Sequence, residues 1–218
     1  GVPFTEVDRV FFGVGVERTA MDVYWDSPER YKDFVRDFGD GDSASAYAIP
    51  LTVAWARDSR DSSLVPTKGR YQKANLEVSM LGDMKYYKAS YQHQYFIPMF
   101  EGGTLALNGM FDYGKGLGGK PYPVFKNVYA GGMGTVRGYE SSSLGQVEYD
   151  YDGDREYLGG TKRVVGNVEL QFPMPGMGGD RTLRWFTFLD GGNVFTDEQN
   201  IDFGDLRYSA GFGVSWVS

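Results

Sequence analysis

The chain has 218 residues, 41% of them hydrophobic and 16% aromatic, with 31 glycines and no cysteine. Disulfides and thiolate metal sites are therefore excluded, and no run approaches the ~18 apolar residues of a membrane-spanning helix. With 22 basic against 29 acidic residues the net charge is −7, and nucleic acid is an unsuitable partner because no basic stripe is present to neutralise phosphates.

The opening "GVPFTEVDRV" has neither the basic start nor the apolar stretch of a secretory leader. It reads as the entry to a strand, and the chain as an internal segment of a larger protein. Period-two alternation then predicts strands near 7–18, 46–58, 69–81, 85–98, 103–114, 162–173, 181–195 and 205–217. In "YKASYQHQYFI" one side carries Tyr87, Ala89, Tyr91, His93, Tyr95 and Ile97; the other carries Lys88, Ser90, Gln92, Gln94 and Phe96. "LALNGMFDY" sets Leu105, Leu107, Gly109, Phe111 and Tyr113 against Ala106, Asn108, Met110 and Asp112. "VVGNVELQF" sets Val164, Gly166, Val168, Leu170 and Phe172 against Val165, Asn167, Glu169 and Gln171. The last strand has Tyr208, Ala210, Phe212, Val214 and Trp216 on one face and Arg207, Ser209, Gly211, Gly213 and Ser215 on the other.

Most of these strands have the ~9 to 11 residues a tilted strand needs to cross a bilayer. Turns such as "DSSLVPTKG", "LGD", "MFEGG" and "PMPGMGG" are fairly short, whereas Tyr24–Ala46 and Lys115–Thr161 are bridged by long polar loops. Short turns on one side and long loops on the other suit an outer-membrane barrel. In the first long loop, "SPERYKDFVRDFG" predicts a short surface helix with Ser27 as cap, Pro28 at the first helical position and Gly39 as stop.

Orientation follows from cost. Burying Glu169, Asp112 and Arg207 in the dry centre of a small soluble barrel is expensive. Turned inside out, the pattern places the broad aromatic face against lipid and the small, polar face in a wet lumen. Trp55, Trp185 and Trp216 share parity with the apolar faces, as lipid or interfacial contacts do.

Within the second long loop lies "NVYAGGMGTVRGYESSSLG". As a phosphate cradle it fails: Gly132, Gly134 and Gly138 miss the dinucleotide spacing, no Gly-Lys-Ser/Thr follows, and no helix opens after it. His93, the single histidine, lies on the lipid or interface side, away from any nucleophile it might activate. "DYDGDREY" places Asp150, Asp152 and Asp154 at spacing two, but Arg155 and Thr161 stand where a calcium loop needs glycine and glutamate, so a solvated acidic loop is expected. The charges of "DSRDSS" belong to a turn in water. No metal, cofactor or catalytic group is expected.

"VRGY" in a long loop ahead of a strand carrying Glu169 resembles the in-folding loop of BamA-type outer-membrane assembly proteins. "PLTVAWARDSRDSSLVPTKGRYQKANLEVSM", "KYYKASYQHQYFIP", "GKGLGGKPYPVFKNVYAGGMGTVRGYESSSLG", "VGNVELQF", "FTFLDGGNVF" and "SAGFGVSWVS" also correspond, in order, from about Val7 onward. The resemblance implies a sixteen-stranded barrel preceded by periplasmic POTRA domains, which inserts other barrel proteins into the bacterial outer membrane. It implies that the loop folds into the lumen and that Arg137 contacts two wall carboxylates, Glu169 and Asp190. Parity agrees, since Glu169 shares its face with Asn167 and Gln171, and Asp190 lies opposite Leu189, Thr187 and Trp185. Gly131, Gly132, Gly134 and Gly138 would let the loop turn and approach the wall, and Tyr139 would pack its tip. The tip needs holding because ordering a loop of about 45 residues costs ~1–2 kcal/mol per backbone residue fixed.

The expectation is therefore an all-β fold: an antiparallel up-and-down transmembrane β-barrel segment of about eight strands, with a long lumenal loop and a short surface helix. Residues 1–218 form part of one barrel domain; the POTRA domains, the early strands and the last two strands lie outside it. The expected role is non-enzymatic, within an outer-membrane protein insertase. A TamA-like or two-partner-secretion transporter barrel is the alternative. Expected partners are outer-membrane lipids and nascent β-barrel proteins, with periplasmic chaperones and accessory lipoproteins acting through regions beyond this segment.

Overall fold

The structure is a computed structural model that describes residues 2–3, 5–149, 153–176 and 182–216. In chain order its elements are β1 (Val2–Pro3), β2 (Asp8–Val14), β3 (Glu17–Asp22), α1 (Glu29–Phe38), β4 (Gly39–Asp40), β5 (Ser43–Asp58) and β6 (Gly69–Gly82). There follow β7 (Tyr86–Phe100), β8 (Gly103–Gly116), β9 (Val147–Tyr149), β10 (Arg155–Tyr157), β11 (Lys162–Pro173), β12 (Leu183–Phe195) and β13 (Arg207–Trp216). The wall is one antiparallel sheet in the order β1-β2-β5-β6-β7-β8-β11-β12-β13, with β3 and β4 also paired to β5. Among the described residues no ladder joins its first strand to its last.

The predicted strands lie where the alternation put them, with one difference. The first is interrupted at Gly15–Val16 and resumes as β3, which extends to Asp22. Opposite the interruption stands Pro50, which has no N–H to give. Its carbonyl accepts from the Gly15 N–H at 3.0 Å, and the β5–β6 register also shifts between Ala48 and Pro50. A proline inside a long strand thus imposes an irregularity on both neighbours.

Burial has the inverted sense expected in a membrane. Leu51, Val53, Leu76, Phe111, Val168, Leu189, Phe212 and Val214 are exposed on the outer face. Ser79, Thr104, Asp112, Arg184 and Asp190 are buried on the inner one. The outward side chains of Trp185 and Trp216 lie on the same exposed face, and Trp55 there donates its indole N–H to Asp8 Oδ1 at 3.1 Å. With lipid as the outer solvent, apolar exposure carries no penalty and the polar groups gather inside.

Helix α1 forms in the first long loop, but Ser27 does not cap it. The Ser27 hydroxyl instead accepts from the Tyr24 N–H at 2.9 Å, and Pro28 takes the capping position, its carbonyl accepting from Tyr31 and Lys32. Gly39 ends the helix in extended backbone, where a Cβ would lie 2.1 Å from the Ser43 carbonyl oxygen. The requirement there is close chain approach. The helix turns Phe34 and Val35 onto Ala44, Ala46 and Ala48 of β5 and onto Met84, Tyr86 and Val124. Alternate alanines leave room for a helix against the inner face, so the rim of the sheet has an apolar core of its own.

The second long loop, from Leu117 to Thr161, contains the β9–β10 hairpin, which alternation did not reveal. Asp150 and Asp152 of the calcium-like run lie outside the described residues. No group of acids or histidines suited to a metal occurs among the described residues. The loop returns along itself through bridges Val128–Gly160 and Ala130–Leu144. Val128, Ala130, Val136 and Leu144 pack against Val165 of β11 and Val194 of β12. Because the loop touches β6, β11, β12 and β13 in turn, the strands must curve around it.

Candidate functional site

Arg137 sits where the returning loop meets β11 and β12. Its Nε and Nη2 donate to Asp190 Oδ2 and Oδ1, each at 2.7 Å, and its backbone N–H donates to Asp190 Oδ2 at 3.0 Å. Its Nη1 donates to Glu169 Oε2. One planar cation thus holds one carboxylate bidentately through Nε and Nη2 and a second through Nη1, a use that suits guanidinium and not ammonium. The Asp190 side chain is fully buried, and those of Arg137 and Glu169 are 12% and 19% exposed. Burial weakens the hold of Arg137 on its proton, and hydrogen bonds to Asp190 and Glu169 more than offset this, so its pKa is raised.

The strands explain why two acids meet one arginine. Asn167 pairs with Asp190 and Glu169 with Phe188 across β11 and β12, all on the inner face. The guanidinium carbon lies 3.8 Å from the centroid of the Phe188 ring and 5.5 Å from that of Phe186. A cation over a desolvated aromatic face gains further attraction. These rings lie flat because their neighbours on β13 are glycines. A Cβ at Gly211 would come 2.8 Å from the Phe188 ring, and one at Gly213 would come 2.7 Å from the Phe186 ring.

A polar ladder surrounds the pair. Gln171 Nε2 donates to Glu169 Oε1 at 2.8 Å, and Arg184 Nη1 donates to Gln171 Oε1 at 2.7 Å. On the other side Gln92 donates to Asn108, Asn108 to Asn167, and Asn167 Nδ2 to the Thr135 carbonyl at 2.6 Å. The loop tip is thereby gripped by its backbone as well as by its charge.

The glycines differ from one another. Gly131, Gly132 and Gly138 have φ of 110°, 89° and 85°. At Gly131 a Cβ would lie 2.4 Å from the Glu140 carbonyl, so this residue lets the loop close on its own return limb instead of on the wall. Gly138 alone of the set faces the wall, with Ser209 Cβ at 3.6 Å from a built Cβ. Gly134 has no left-handed φ, and a Cβ there would meet nothing within 4 Å. The expectation that Gly134 serves the turn is corrected: its surroundings do not call for glycine. Tyr139 packs on the Val136–Val165–Val194 cluster and donates its hydroxyl to the Tyr208 carbonyl of β13 at 3.2 Å.

A family model, the Omp85 superfamily domain, matches residues 1–218. The chain belongs to the Omp85 superfamily. It is 37% identical over 248 aligned residues to outer membrane protein assembly factor BamA of Neisseria meningitidis serogroup B, covering 100% of this chain and 31% of that protein. It is 31% identical over 197 residues to the sorting and assembly machinery component 50 homolog of Mus musculus, covering 79% of this chain and 39% of the relative. The chain thus spans between 31% and 39% of the length of these curated relatives. The crystal structure of BamA from Haemophilus ducreyi lacking POTRA domains 1-3 superposes with a TM-score of 0.86 over 99% of this chain and 46% of that chain. At 23% identity that likeness speaks to the fold, which is the Omp85 barrel wall.

Three features of this Omp85 segment escaped the sequence reading. The aromatic platform shares parity with Asp190, yet the inner face was expected to be small and polar. The Asp61 carboxylate receives the Thr67 N–H at 2.8 Å, the Thr67 hydroxyl at 2.5 Å and the Lys68 N–H at 3.1 Å, closing the β5–β6 turn. Burial raises the Asp61 pKa, and these hydrogen bonds outweigh it, bringing the group down to about 2. The third is a second cation on the loop, Lys126, whose partners lie far from it in sequence. His93 falls on the outer face between Tyr91 and Tyr95, ring centroids 6.4 Å away on each side. Gln72 and Gly109 stand opposite it, neither a nucleophile nor an acid.

Proposed function

We propose that this chain is part of the barrel of an outer-membrane protein insertase, which folds and inserts β-barrel proteins into the bacterial outer membrane without enzymatic chemistry. The observation that carries the reading is Arg137 docked on Asp190 and Glu169 inside a lipid-facing wall, in a chain 37% identical along its whole length to an assembly factor. In such a machine the wall offers strand edges to a client by β-augmentation at a weakly paired seam. The docked loop keeps wall curvature fixed while the seam opens. Its partners are outer-membrane lipids and nascent β-barrel proteins, with periplasmic chaperones and accessory lipoproteins engaging regions beyond this segment.

Insertion of an unfolded outer-membrane barrel into liposomes carrying the full-length protein tests the reading. Arg137→Ala is expected to retain the folded, heat-modifiable barrel and to lose client insertion. Absence of insertion by the wild-type protein would overturn the proposal, and wild-type insertion by a variant whose loop has demonstrably come away from the wall would overturn the role given to the docked loop.

A further inference from the structure

The loop meets the wall a second time, ahead of its arginine. Lys126 closes a single 3-10 turn, Val124–Lys126. Its ammonium lies 2.8 Å from Glu17 Oε2 and 2.9 Å from Glu77 Oε1. The Tyr86 hydroxyl donates to the same Glu77 oxygen at 2.7 Å. The Lys126 carbonyl accepts from Lys88 Nζ and from the Tyr122 hydroxyl, each at 3.0 Å. Side chain and backbone of one loop residue are both held. Lys126 and Glu77 are largely buried, at 16% and 18% exposure.

Glu17 belongs to β3 and Glu77 to β6, which flank β5; Glu17 stands opposite Ala48 and Glu77 opposite Thr52. Two carboxylates directed at one point repel unless a cation lies between them. Lys88 of β7 stands opposite Glu77 and offsets part of its charge, but the cation that touches both carboxylates comes from the loop. Arg137, eleven positions on, binds β11 and β12. Strands β7 and β8 separate those from β6 in the sheet, so the Lys126–Arg137 limb crosses the inner face between two parts of the wall that share no ladder.

We propose that Lys126 is a second, independent lock, and that the limb from Lys126 to Arg137 is a strut fixing the separation of the β3–β6 and β11–β12 parts of the wall. The inference deepens the reading of the loop as a brace and rests on it. Lys126 is a positioning residue in this sense, acting through Glu17 and Glu77.

The test uses the full-length protein in liposomes with spin labels at Leu76→Cys on β6 and Leu189→Cys on β12, both exposed on the outer face. This segment has no cysteine of its own to interfere. Lys126→Met is expected to lose the narrow inter-label distance distribution and to speed protease cleavage within 118–130 by roughly tenfold, as a weakened local closure does. Lys126→Arg should keep both at wild-type values. Lys126→Glu combined with Glu77→Lys should restore both, because one cation again lies among two carboxylates. An unchanged distribution and cleavage rate in Lys126→Met would overturn the strut, as would a distribution that responds to Arg137→Ala alone. If Lys126→Met fails to fold, Glu77→Gln, which removes the largely buried carboxylate that ties Lys126 to β6, carries the test: broadening supports the strut and a wild-type width refutes it. Client insertion is read separately. Absence of client insertion by the wild-type protein, with the label distances responding to Lys126→Met as expected, would sink the insertase reading and leave the strut standing.

Discussion

Replacing Arg137 by alanine tests the docked arginine most directly, and its cost follows from the geometry. The substitution removes three side-chain hydrogen bonds to two carboxylates and the contact with the Phe188 ring. Breaking a buried ion pair from one side costs ~3–5 kcal/mol, because the remaining charge stays out of water. Asp190 is fully buried, but Glu169 is 19% exposed and can rehydrate. The Arg137 backbone N–H also still serves Asp190. The lower end, ~3 kcal/mol, is therefore expected, a factor of about 10² between docked and undocked loop at 1.4 kcal/mol per decade.

Limited proteolysis of the Asn127–Gly145 segment in detergent-solubilised protein reads that equilibrium, and heat-modifiable gel migration reads the barrel. Arg137→Lys should fall between wild type and alanine, since an ammonium keeps the charge and loses the fork. Asp190→Asn should release the loop more than Glu169→Gln, in line with the difference in burial. A loop in Arg137→Ala as protected as wild type, or a Glu169 effect exceeding that of Asp190, would refute the reasoning.

Other expectations follow from neighbouring contacts. Phe188→Leu should weaken docking by ~0.5–2 kcal/mol, the range for a cation over a ring, and Gly211→Val should do so as well by displacing that ring; equal protease protection in all three proteins would remove the platform. Among Gly131, Gly132, Gly134 and Gly138, Gly131→Ala should destabilise most because backbone stands 2.4 Å from its Cβ. Gly138→Ala should cost ~1 kcal/mol through its left-handed φ, while Gly134→Ala should be neutral in thermal unfolding. Asp61, held at about 2, has a depressed folded pKa. Its contribution to the turn is present above its ordinary carboxylate range and is lost as pH falls towards 2. Asp61→Asn should therefore flatten the acid limb of turn protection, measured by hydrogen exchange at Thr67 and Lys68, and an unaltered acid limb would contradict the assignment.

How far the site was legible depends on what carried each residue's position. Strand parity fixed the facing of Glu169 and Asp190 from local spacing alone, and the "VRGY" stretch marked which loop residue would meet them. Lys126 had no such support, because its partners Glu17 and Glu77 lie 109 and 49 positions away. Pairing of both strands with β5 sets β3 across it from β6, two strands from the one that leads into the loop, and no local pattern records that pairing. Phe186 and Phe188 went unnoticed for a different reason. Their parity pointed inward, but rings are tolerated there because Gly211 and Gly213 on the next strand make room, a cross-strand dependence invisible within either strand. The break before β3 likewise traces to Pro50 on the partner strand.

The two cations on the loop do different physical work. Pinning the chain at Lys126 as well as Arg137 shortens the free limb from Gly116–Arg137 to Lys126–Arg137, roughly a halving, and halving a loop saves only ~0.6 kcal/mol of closure entropy. An apolar contact could supply that much, so entropy does not require a lysine. What an apolar residue could not do is stand between Glu17 and Glu77, of which Glu77 is largely buried and Glu17 is 40% exposed, and offset their repulsion. The wall of this segment thus turns two pairs of acids towards the loop, Glu17 with Glu77 and Glu169 with Asp190, and the loop carries a cation for each. Without the loop, Glu17 and Glu77 lose the ammonium that touches both and keep Lys88 opposite Glu77, and Glu169 and Asp190 lose the guanidinium between them. Loop docking and wall geometry are therefore one equilibrium, and a partner that displaces either cation would loosen the strands on which that cation's acids reside.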